Sequence, residues 1–461
     1  MTKKYRKILL TIPILFVLIL TACKEELPDN EDQTAAPAVF QATVVEAGDE
    51  MILAEPVEGS LELLSADRIY VINEENLKLQ EGDVIEIQYD GSILETYPAQ
   101  LGKVYHITLM EEDMAGIYQI LYDEMGKTEA PYDWEMAERM VSSLGENGYV
   151  AVDSGNQVNM EGADRALEFC RMAEEKKPSK LTIIVIAGRD VFTTYDLKTK
   201  DGDMMVTRAC YRLDEGGNFQ RESRVSYPAS FWKYTEDGYL LLEGSYFSEE
   251  EFALTLSDGQ EHTALRVQPL DERCRVWNRQ CILPAGYREN NLFLSDWSRE
   301  DYGELDFSDV FGIFYPRLYD QPIPFIAAEV EGTKTRYQIP DDIFEHVIMT
   351  YFDIDREKLR SKTVYLPESS AYEYSPRGID EAEYPEIPYP EVVSYTENQD
   401  GTITLTVHAV YPYENTSRSY AHKTVIRILE DDSFQYVSNE IIWPKENLNI
   451  WWHSDRLTKG E

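Results

Sequence analysis

The spacing of hydrophobic positions changes period several times along the chain, and each change marks a boundary. Between Val39 and Met110 the apolar residues fall in short segments, Phe40 to Val45, Met51 to Ala54, Arg68 to Ile72, Val84 to Tyr89 and Val104 to Met110. Gly48-Asp49, Gly59, Gly82-Asp83 and Asp90-Gly91 separate them. Alternation is plain in Val84 to Tyr89, where Ile85, Ile87 and Tyr89 share one side and Glu86 and Gln88 the other, as a half-buried strand requires. Asp90-Gly91 then has the residues of a two-residue hairpin turn. Five short strands in about 70 residues predict a small, partly closed barrel of OB type.

After Met110 the period lengthens to that of a helix. Met114, Ile117, Tyr118, Leu121 and Met125 form one stripe, Trp134, Ala137, Val141 and Leu144 a second, and Ala163, Ala166, Leu167, Cys170 and Ala173 a third. These Met, Trp and Tyr residues are read as core, not as a cofactor box. Leu181 to Ala187 (LTIIVIA) is continuously apolar, the pattern of a strand covered on both faces. From there to about Tyr319, turns at Asp201-Gly202, Gly216-Gly217, Asp237-Gly238 and Asp258-Gly259 predict a meander of antiparallel hairpins. None of the four has the alternating acids and terminal Glu of a calcium loop.

Pro340-Asp341-Asp342 opens a predicted helix burying Phe344, Val347, Ile348, Tyr351 and Phe352. The stretch from Tyr372 to Glu391, rich in Pro, Tyr and acids, predicts an extended surface segment. In Thr402 to Val410 the residues Ile403, Leu405, Val407 and Ala409 alternate with Thr402, Thr404, Thr406 and His408, and Lys423 to Leu429 and Phe434 to Trp443 are expected to pair with this strand. The fold class is therefore α+β and multi-domain: the small OB-like β-barrel at 39–110, an α+β domain at 111–371 with three helices and then antiparallel sheet, and a Pro/Tyr-rich and β-rich part at 372–461 packed on it.

The N-terminus carries a different pattern. Lys3, Lys4, Arg6 and Lys7 precede an apolar run from Ile8 to Leu20, and Thr21-Ala22 are small. The run is 13 residues long and broken by Pro13, whereas crossing hydrocarbon takes about 20. Residues 1–22 are read as a cleaved signal peptide. Leu20-Thr21-Ala22-Cys23 resembles the bacterial lipobox, and the resemblance implies that Cys23 is lipidated and becomes the mature N-terminus. Residues 23–38, acidic and Pro-containing, would tether the anchor to the first domain. This reading places the protein on the outer face of a cytoplasmic membrane, with the membrane as partner through the lipid.

Charge narrows the partners. The chain has 85 Asp and Glu against 43 Lys and Arg, a net charge of −42, which disfavours nucleic acid and anionic lipid headgroups. The acids are spread without obvious blocks, as on a solvated surface. Outside the membrane a disulfide between Cys274 and Cys281, across the short loop CRVWNRQC, is permitted.

The run EGDVIEIQYDGSILETYPAQL resembles small uncharacterised barrel domains on secreted and lipid-anchored proteins of Gram-positive bacteria. GTITLTVHAVYP, SYAHKTV and FQYVSNEI resemble segments of uncharacterised lipoproteins of anaerobic gut Gram-positives. Both resemblances imply location and fold, and neither carries an activity or a site residue.

Catalytic motifs are missing from the sequence. No GxSxG elbow, Walker loop or GxGxxG occurs, and the six His, at 106, 262, 346, 408, 422 and 453, are never closer than 14 residues. His408 and His422 can meet only across paired strands. No metal or cofactor is expected. A carboxylate pair remains open as an enzymatic route, with Asp296 beside Trp297, Asp306 and Asp309 near Phe307 and Phe311, and Glu440 before Trp443 as acids in aromatic surroundings. Trp443, Trp451 and Trp452 are candidates for an exposed platform for sugars. The leading expectation is a non-enzymatic surface lipoprotein that binds a cell-envelope component, glycan or protein. A wall hydrolase using two carboxylates and an accessory subunit of a membrane complex are the alternatives.

Overall fold

The computed structural model describes residues 37–454 apart from 49, 58, 76, 78, 110–113, 129, 215–216, 248–258, 325–328, 332–333, 378–380, 382–383 and 445–449. The signal peptide at 1–22, Cys23 and all but the last two residues of the tether lie outside the described residues.

Seven strands make the N-terminal sheet: β1 (Ala38–Ala47), β2 (Met51–Pro56), β3 (Ile69–Ile72), β4 (Val84–Tyr89), β5 (Ile93–Leu94), β6 (Ala99–Leu101) and β7 (Val104–Leu109). Their order is β5-β6-β3-β2-β1-β4-β7. The expected partly closed OB-like barrel is corrected here to a sheet not closed into a barrel, because β5 and β7 end the order and do not pair. The sheet nevertheless curls strongly. Only Gly102 and Lys103 separate β6 from β7, yet these strands stand second and last across it. Asp90-Gly91 does not close a hairpin either: β4 pairs with β1 and β7, and β5 with β6. The alternation in β4 does hold, with Ile85, Ile87 and Tyr89 buried.

The next unit contains α1 (Ala115–Gly126), α2 (Trp134–Glu146), β8 (Val150–Asp153), α3 (Ala163–Glu174), β9 (Ser179–Ile186), β10 (Val191–Lys200), β11 (Asp203–Leu213) and β12 (Phe219–Pro228). Asp133 caps α2 by accepting from the Met136 amide at 2.8 Å. The sheet order is β12-β11-β10-β9-β8, with only the β8–β9 pair parallel. In β9, Ile184 and Ile186 pack with α1 and α2, while Ile183 and Val185 face the layer containing α3. That two-sided cover explains its unbroken apolar run. Asp83, fully buried, fastens the N-terminal sheet to this unit through Arg221 at 3.0 Å and Arg224 at 3.6 Å on β12. Beside it Gly82 has φ +85°, and a Cβ there would come within 2.7 Å of Ser226 Oγ, so the contact requires glycine.

Three strands form the middle layer: β13 (Phe231–Tyr234), β14 (Tyr239–Ser245) and β15 (Gln260–Arg266). Tyr239, Leu240, Leu241 and Leu242 are all buried, alternating between two cores. Leu240 and Leu242 join α3 and the first five-stranded sheet, and Tyr239 and Leu241 meet Val410.

The predicted meander ends at Arg266. A helix α4 (Glu272–Trp277) follows, continued by a π-helical turn over Asn278–Ile282, and then β16 (Trp297–Ser298) and α5 (Phe307–Tyr319). Cys274 and Cys281 are both free and buried. Seven residues of helix separate their Cα atoms by about 10 Å, beyond the roughly 7 Å a disulfide spans, so the disulfide that the sequence permits is not formed in this structure.

The remaining elements are β17 (Glu329–Glu331), β18 (Lys334–Pro340), α6 (Asp341–Tyr351), α7 (Arg356–Lys362), β19 (Tyr365–Leu366), β20 (Ala371–Tyr374), β21 (Tyr389–Glu397), β22 (Thr402–Tyr411), β23 (Thr416–Ile428) and β24 (Phe434–Trp443). The second five-stranded sheet has the order β16-β24-β23-β22-β21, and its Leu405, Val407 and Ala409 share one core with Phe307, Phe311, Phe314, Phe344 and Val347 of α5 and α6. The expected surface segment from Tyr372 to Glu391 is corrected at both ends, since Tyr372 and Tyr374 are buried in β20 and Glu391 in β21.

Glu391 marks the junction of these layers. Its carboxylate accepts from Arg266 Nη1 of β15 at 2.9 Å and from Arg275 Nη1 of α4 at 3.1 Å. The three side chains are between 1% and 4% exposed. Arg275 also donates to the Asn156 carbonyl and, at 3.1 Å, to Asn159 Oδ1. Removing one partner of such a buried pair costs about 3–5 kcal/mol. Glu391→Ala is therefore expected to lower the urea unfolding free energy by that amount, whereas substitution within the exposed Arg171–Glu168 pair leaves the midpoint unchanged.

Candidate functional site

Three of the four acids singled out in the sequence, Asp306, Asp309 and Asp296, have structural partners. Asp306 caps α5, accepting from the Ser308 amide at 2.8 Å. Asp309 is buried against Arg377, 2.9 Å away. Asp296 accepts from the Ile441 amide at 2.7 Å, and Glu440 is an exposed residue of β24. These residues do not converge on a common cavity. The buried thiols Cys170, Cys274 and Cys281 are pushed by burial to about 12, 11 and 12 respectively, so they stay protonated and inert.

His408 and His422 do lie on neighbouring strands, but the register pairs Val407 with His422, which puts the two imidazoles on opposite faces of the sheet. No group of three metal-binding side chains occurs among the described residues. His422 is fixed as a neutral imidazole. Its Nδ1–H donates to Asn439 Oδ1 at 2.8 Å, Nε2 accepts from the Tyr287 hydroxyl at 3.1 Å, and Asn439 is itself oriented by donating to the Ser295 carbonyl. Burial pushes His422 down to about 3 and His408 to about 4, the latter against the pull of Asp237.

The three layers meet around a cavity of about 730 Å³, within the range of small-molecule sites. Four tyrosines line it. Tyr246 follows β14, Tyr389 begins β21, Tyr411 ends β22, and Tyr413 lies in the 3-10 turn Pro412–Glu414. Tyr389 is held from behind, accepting from Asn156 Nδ2 at 3.1 Å, and Asn156 in turn accepts from the Arg266 amide at 2.8 Å. The Glu391 junction thus positions one wall.

Polar groups of both signs converge on the same space: Arg208, Glu261, His262, Arg288 and Glu386. Arg208 pairs with Glu261 at 3.0 Å. Burial holds the Glu261 carboxyl above its ordinary range, and Arg208 opposes the shift. Among the described residues, Glu261 Oε2, Arg208 Nε and both ring nitrogens of His262 have no hydrogen-bond partner. Buried groups of this kind are costly unless a partner is supplied.

The aromatic lining continues outward as a chain of ring contacts. His262 packs on Tyr413 at 4.9 Å between centroids, Tyr413 on Tyr411 at 6.2 Å, Tyr411 on Trp451 at 6.3 Å, and Trp451 on Tyr384 at 4.9 Å. Tyr413, Trp451 and Tyr384 are 45%, 40% and 53% exposed. Trp451 Nε1 donates to Glu414 Oε1 at 2.7 Å, which fixes the indole plane. Of the three tryptophans weighed as platform candidates against an ordinary core role, Trp451 belongs to this strip, Trp443 is exposed beside Arg418, and Trp452 is buried. Arg208, Glu261, His262, Tyr389, Tyr411 and Tyr413 escaped the sequence reading. The one available signal was Tyr411-Pro412-Tyr413, an aromatic-proline-aromatic tip at the end of the best-defined strand.

A family of unknown function (DUF6070) matches residues 106–456, and the chain belongs to that family. No curated protein and no solved structure matches the chain.

The two neutral histidines make stability depend on pH. Their pKa values in the fold lie below the unfolded value of about 6.5, so between the two the unfolded chain binds protons that the fold refuses. Their contribution is full above about pH 6.5 and is lost as pH falls toward 3 to 4. At pH 5 the loss from His422 is about 2 kcal/mol. Urea unfolding at pH 7 and pH 5 should register it, and His422→Gln should flatten the decline.

Proposed function

We propose that this member of the family is a lipoprotein held through Cys23 at the outer face of a cytoplasmic membrane, and that it binds a neutral cell-envelope glycan in the tyrosine-lined cavity without turning it over. The observation that carries the ligand class is the group of exposed rings beside the cavity, Tyr413, Trp451 and Tyr384, with the buried Tyr411 packed beneath Tyr413 and Trp451. The C–H face of a pyranose packs against the electron-rich face of an aromatic ring, and several exposed rings beside an open cavity suit a chain of sugar units. Glu261, Arg208 and His262 would supply the oriented donors and acceptors that hydroxyl groups require. The location rests on the basic n-region, the short apolar run and the Leu20-Thr21-Ala22-Cys23 sequence.

A second reading as a hydrolase is favoured by one feature, the presence of both Glu261 and Glu386 in the lining of one cavity with the Glu261 carboxyl raised by burial. Turnover separates the two.

Incubated with purified envelope polysaccharide, the full chain is expected to bind it with a change in tryptophan fluorescence and to release no reducing ends. Trp451→Ala and Tyr413→Ala should each weaken binding at least ten-fold, and Trp451→Ala should abolish the fluorescence change. Binding unchanged in both variants removes the groove from the proposal. Sugar release that is lost in Glu261→Gln replaces it with hydrolysis.

A further inference from the structure

The N-terminal sheet carries a short turn whose polarity is reversed. Residues Leu61–Leu64 form a 3-10 helix of sequence LELL in which Glu62 is the buried residue, 9% exposed, while Leu61, Leu63 and Leu64 are 77%, 39% and 86% exposed. Glu62 is held inward by the Tyr89 hydroxyl, which donates to Oε1 at 3.0 Å. Burial and this carboxylate push the Tyr89 hydroxyl up to about 12. In a 3-10 turn residues three apart eclipse, so Leu61 and Leu64 project together.

A second apolar element faces them. Leu94 is 48% exposed and Tyr97 95%, and Leu64, Leu94 and Tyr97 border one open depression of about 590 Å³ whose lining also includes Asp67, Arg68 and Glu95. Water is a poor environment for this cluster, and several exposed large apolar side chains gathered in one place mark an interaction surface.

The point of chain entry indicates what covers it. Ala38, the first residue of β1, pairs with Tyr89 and packs beside the Asp90-Gly91 turn, where a Cβ on Gly91 would lie 3.8 Å from its own. Leu94 is three residues further on. Only 14 residues separate Cys23 from Ala38, a span of at most about 50 Å. The apolar cluster therefore lies near the point where the chain enters the sheet, within tether length of Cys23.

We propose that Leu61, Leu64, Leu94 and Tyr97 form a membrane-docking surface that inserts into the interface of the bilayer carrying the lipid anchor. Interfacial binding of this kind uses leucine and aromatic side chains at the acyl boundary. A lipid on Cys23 would raise the local concentration of the bilayer around the patch. With a net charge of −42, the protein should prefer zwitterionic to anionic lipid.

The orientation rests on the lipoprotein reading, and the test separates the two. The mature chain from residue 23 onward carrying Cys23→Ala, free of both the leader and any lipid, is mixed with phosphatidylcholine vesicles at millimolar lipid and sedimented. The bound fraction should rise with lipid and fall at least ten-fold in a Leu61→Ser, Leu64→Ser, Tyr97→Ser variant. Val364→Ser with Tyr319→Ser, exposed elsewhere, should leave it unchanged. No partition, or equal partition by the triple variant, overturns docking. So does a concentration-dependent dimer abolished by the same variant, which would make a second copy the occupant. Fatty-acid labelling of native protein tests Cys23 independently: label without vesicle binding refutes docking alone, and vesicle binding without label refutes the anchor alone.

Discussion

One buried carboxylate between two guanidinium groups organises the larger part of the molecule. Glu391 sits on β21, Arg266 on β15 and Arg275 on α4, so a single charge centre ties together an edge strand, the middle layer and the helical cover. Bringing three ions out of water is expensive, and the cost is offset only while all three are present in good geometry. The arrangement is accordingly selective: if β21 slipped by one residue, Glu391 would face the other side of the sheet and both arginines would lose their partner. Asn278 reinforces that register, donating to the Pro390 carbonyl at 3.2 Å and accepting from the Val392 amide at 3.1 Å. The Arg266 guanidinium also lies over the Tyr239 ring, 5.1 Å from its centroid, which sets the middle layer against the same centre.

The cavity follows from this junction. Asn156 receives the Arg266 amide through its carbonyl oxygen and directs its amide nitrogen to Tyr389 and to the Ala264 carbonyl. Tyr389 in turn approaches the Tyr239 hydroxyl at 3.5 Å. A wall braced in this way keeps its shape without a ligand, so ordering the site costs little on binding. Tyr411 follows Val410, the partner of Tyr389 in the β21–β22 pair, and is braced in addition by its hydroxyl, which donates to the Glu386 carbonyl at 3.0 Å.

The parts of the fold legible in the sequence are those set by local periodicity. Ile117, Leu121 and Met125 of α1, and Ala137, Val141 and Leu144 of α2, are buried as their spacing predicts, and Ile403, Leu405, Val407 and Ala409 face one core. Failures occur where local pattern carries no information. Strands β5 and β6, two and three residues long, are too short to show alternation. The sheet they join therefore has a different order from the expected barrel. The stretch from Tyr372 to Glu391 looks like surface by composition, yet Tyr372, Tyr374 and Glu391 are buried because distant residues supply partners, while Tyr384 stays exposed. Glu391 lies 125 residues from Arg266 and 116 from Arg275, a separation that no window on one chain can see. The cavity is similarly assembled from positions between 208 and 413. Cys274 and Cys281 look like a bridge in a loop because the turn that makes that segment helical, capped by Asp271 at the Arg273 amide, has too short an apolar stripe to be recognised.

Charge adds a constraint on the ligand that shape alone does not impose. A chain of net charge −42 repels anions over most of its surface, although screening confines the effect to roughly 8–10 Å at physiological salt. The cavity departs from that average, since Arg208 and Arg288 stand against Glu261 and Glu386 and the local balance is near zero. Burial of Glu261 favours its protonated form while Arg208 favours the carboxylate, so neither a strongly anionic nor a strongly cationic ligand would find a complementary wall. A neutral ligand rich in hydroxyl groups satisfies donors and acceptors of both signs without leaving a buried charge unpaired. In the proposed complex the exposed rings Tyr413, Trp451 and Tyr384 would receive its apolar faces. Within an acidic protein, this local balance is what supports the proposed sugar ligand over a basic peptide, even though the overall charge alone would suggest the peptide.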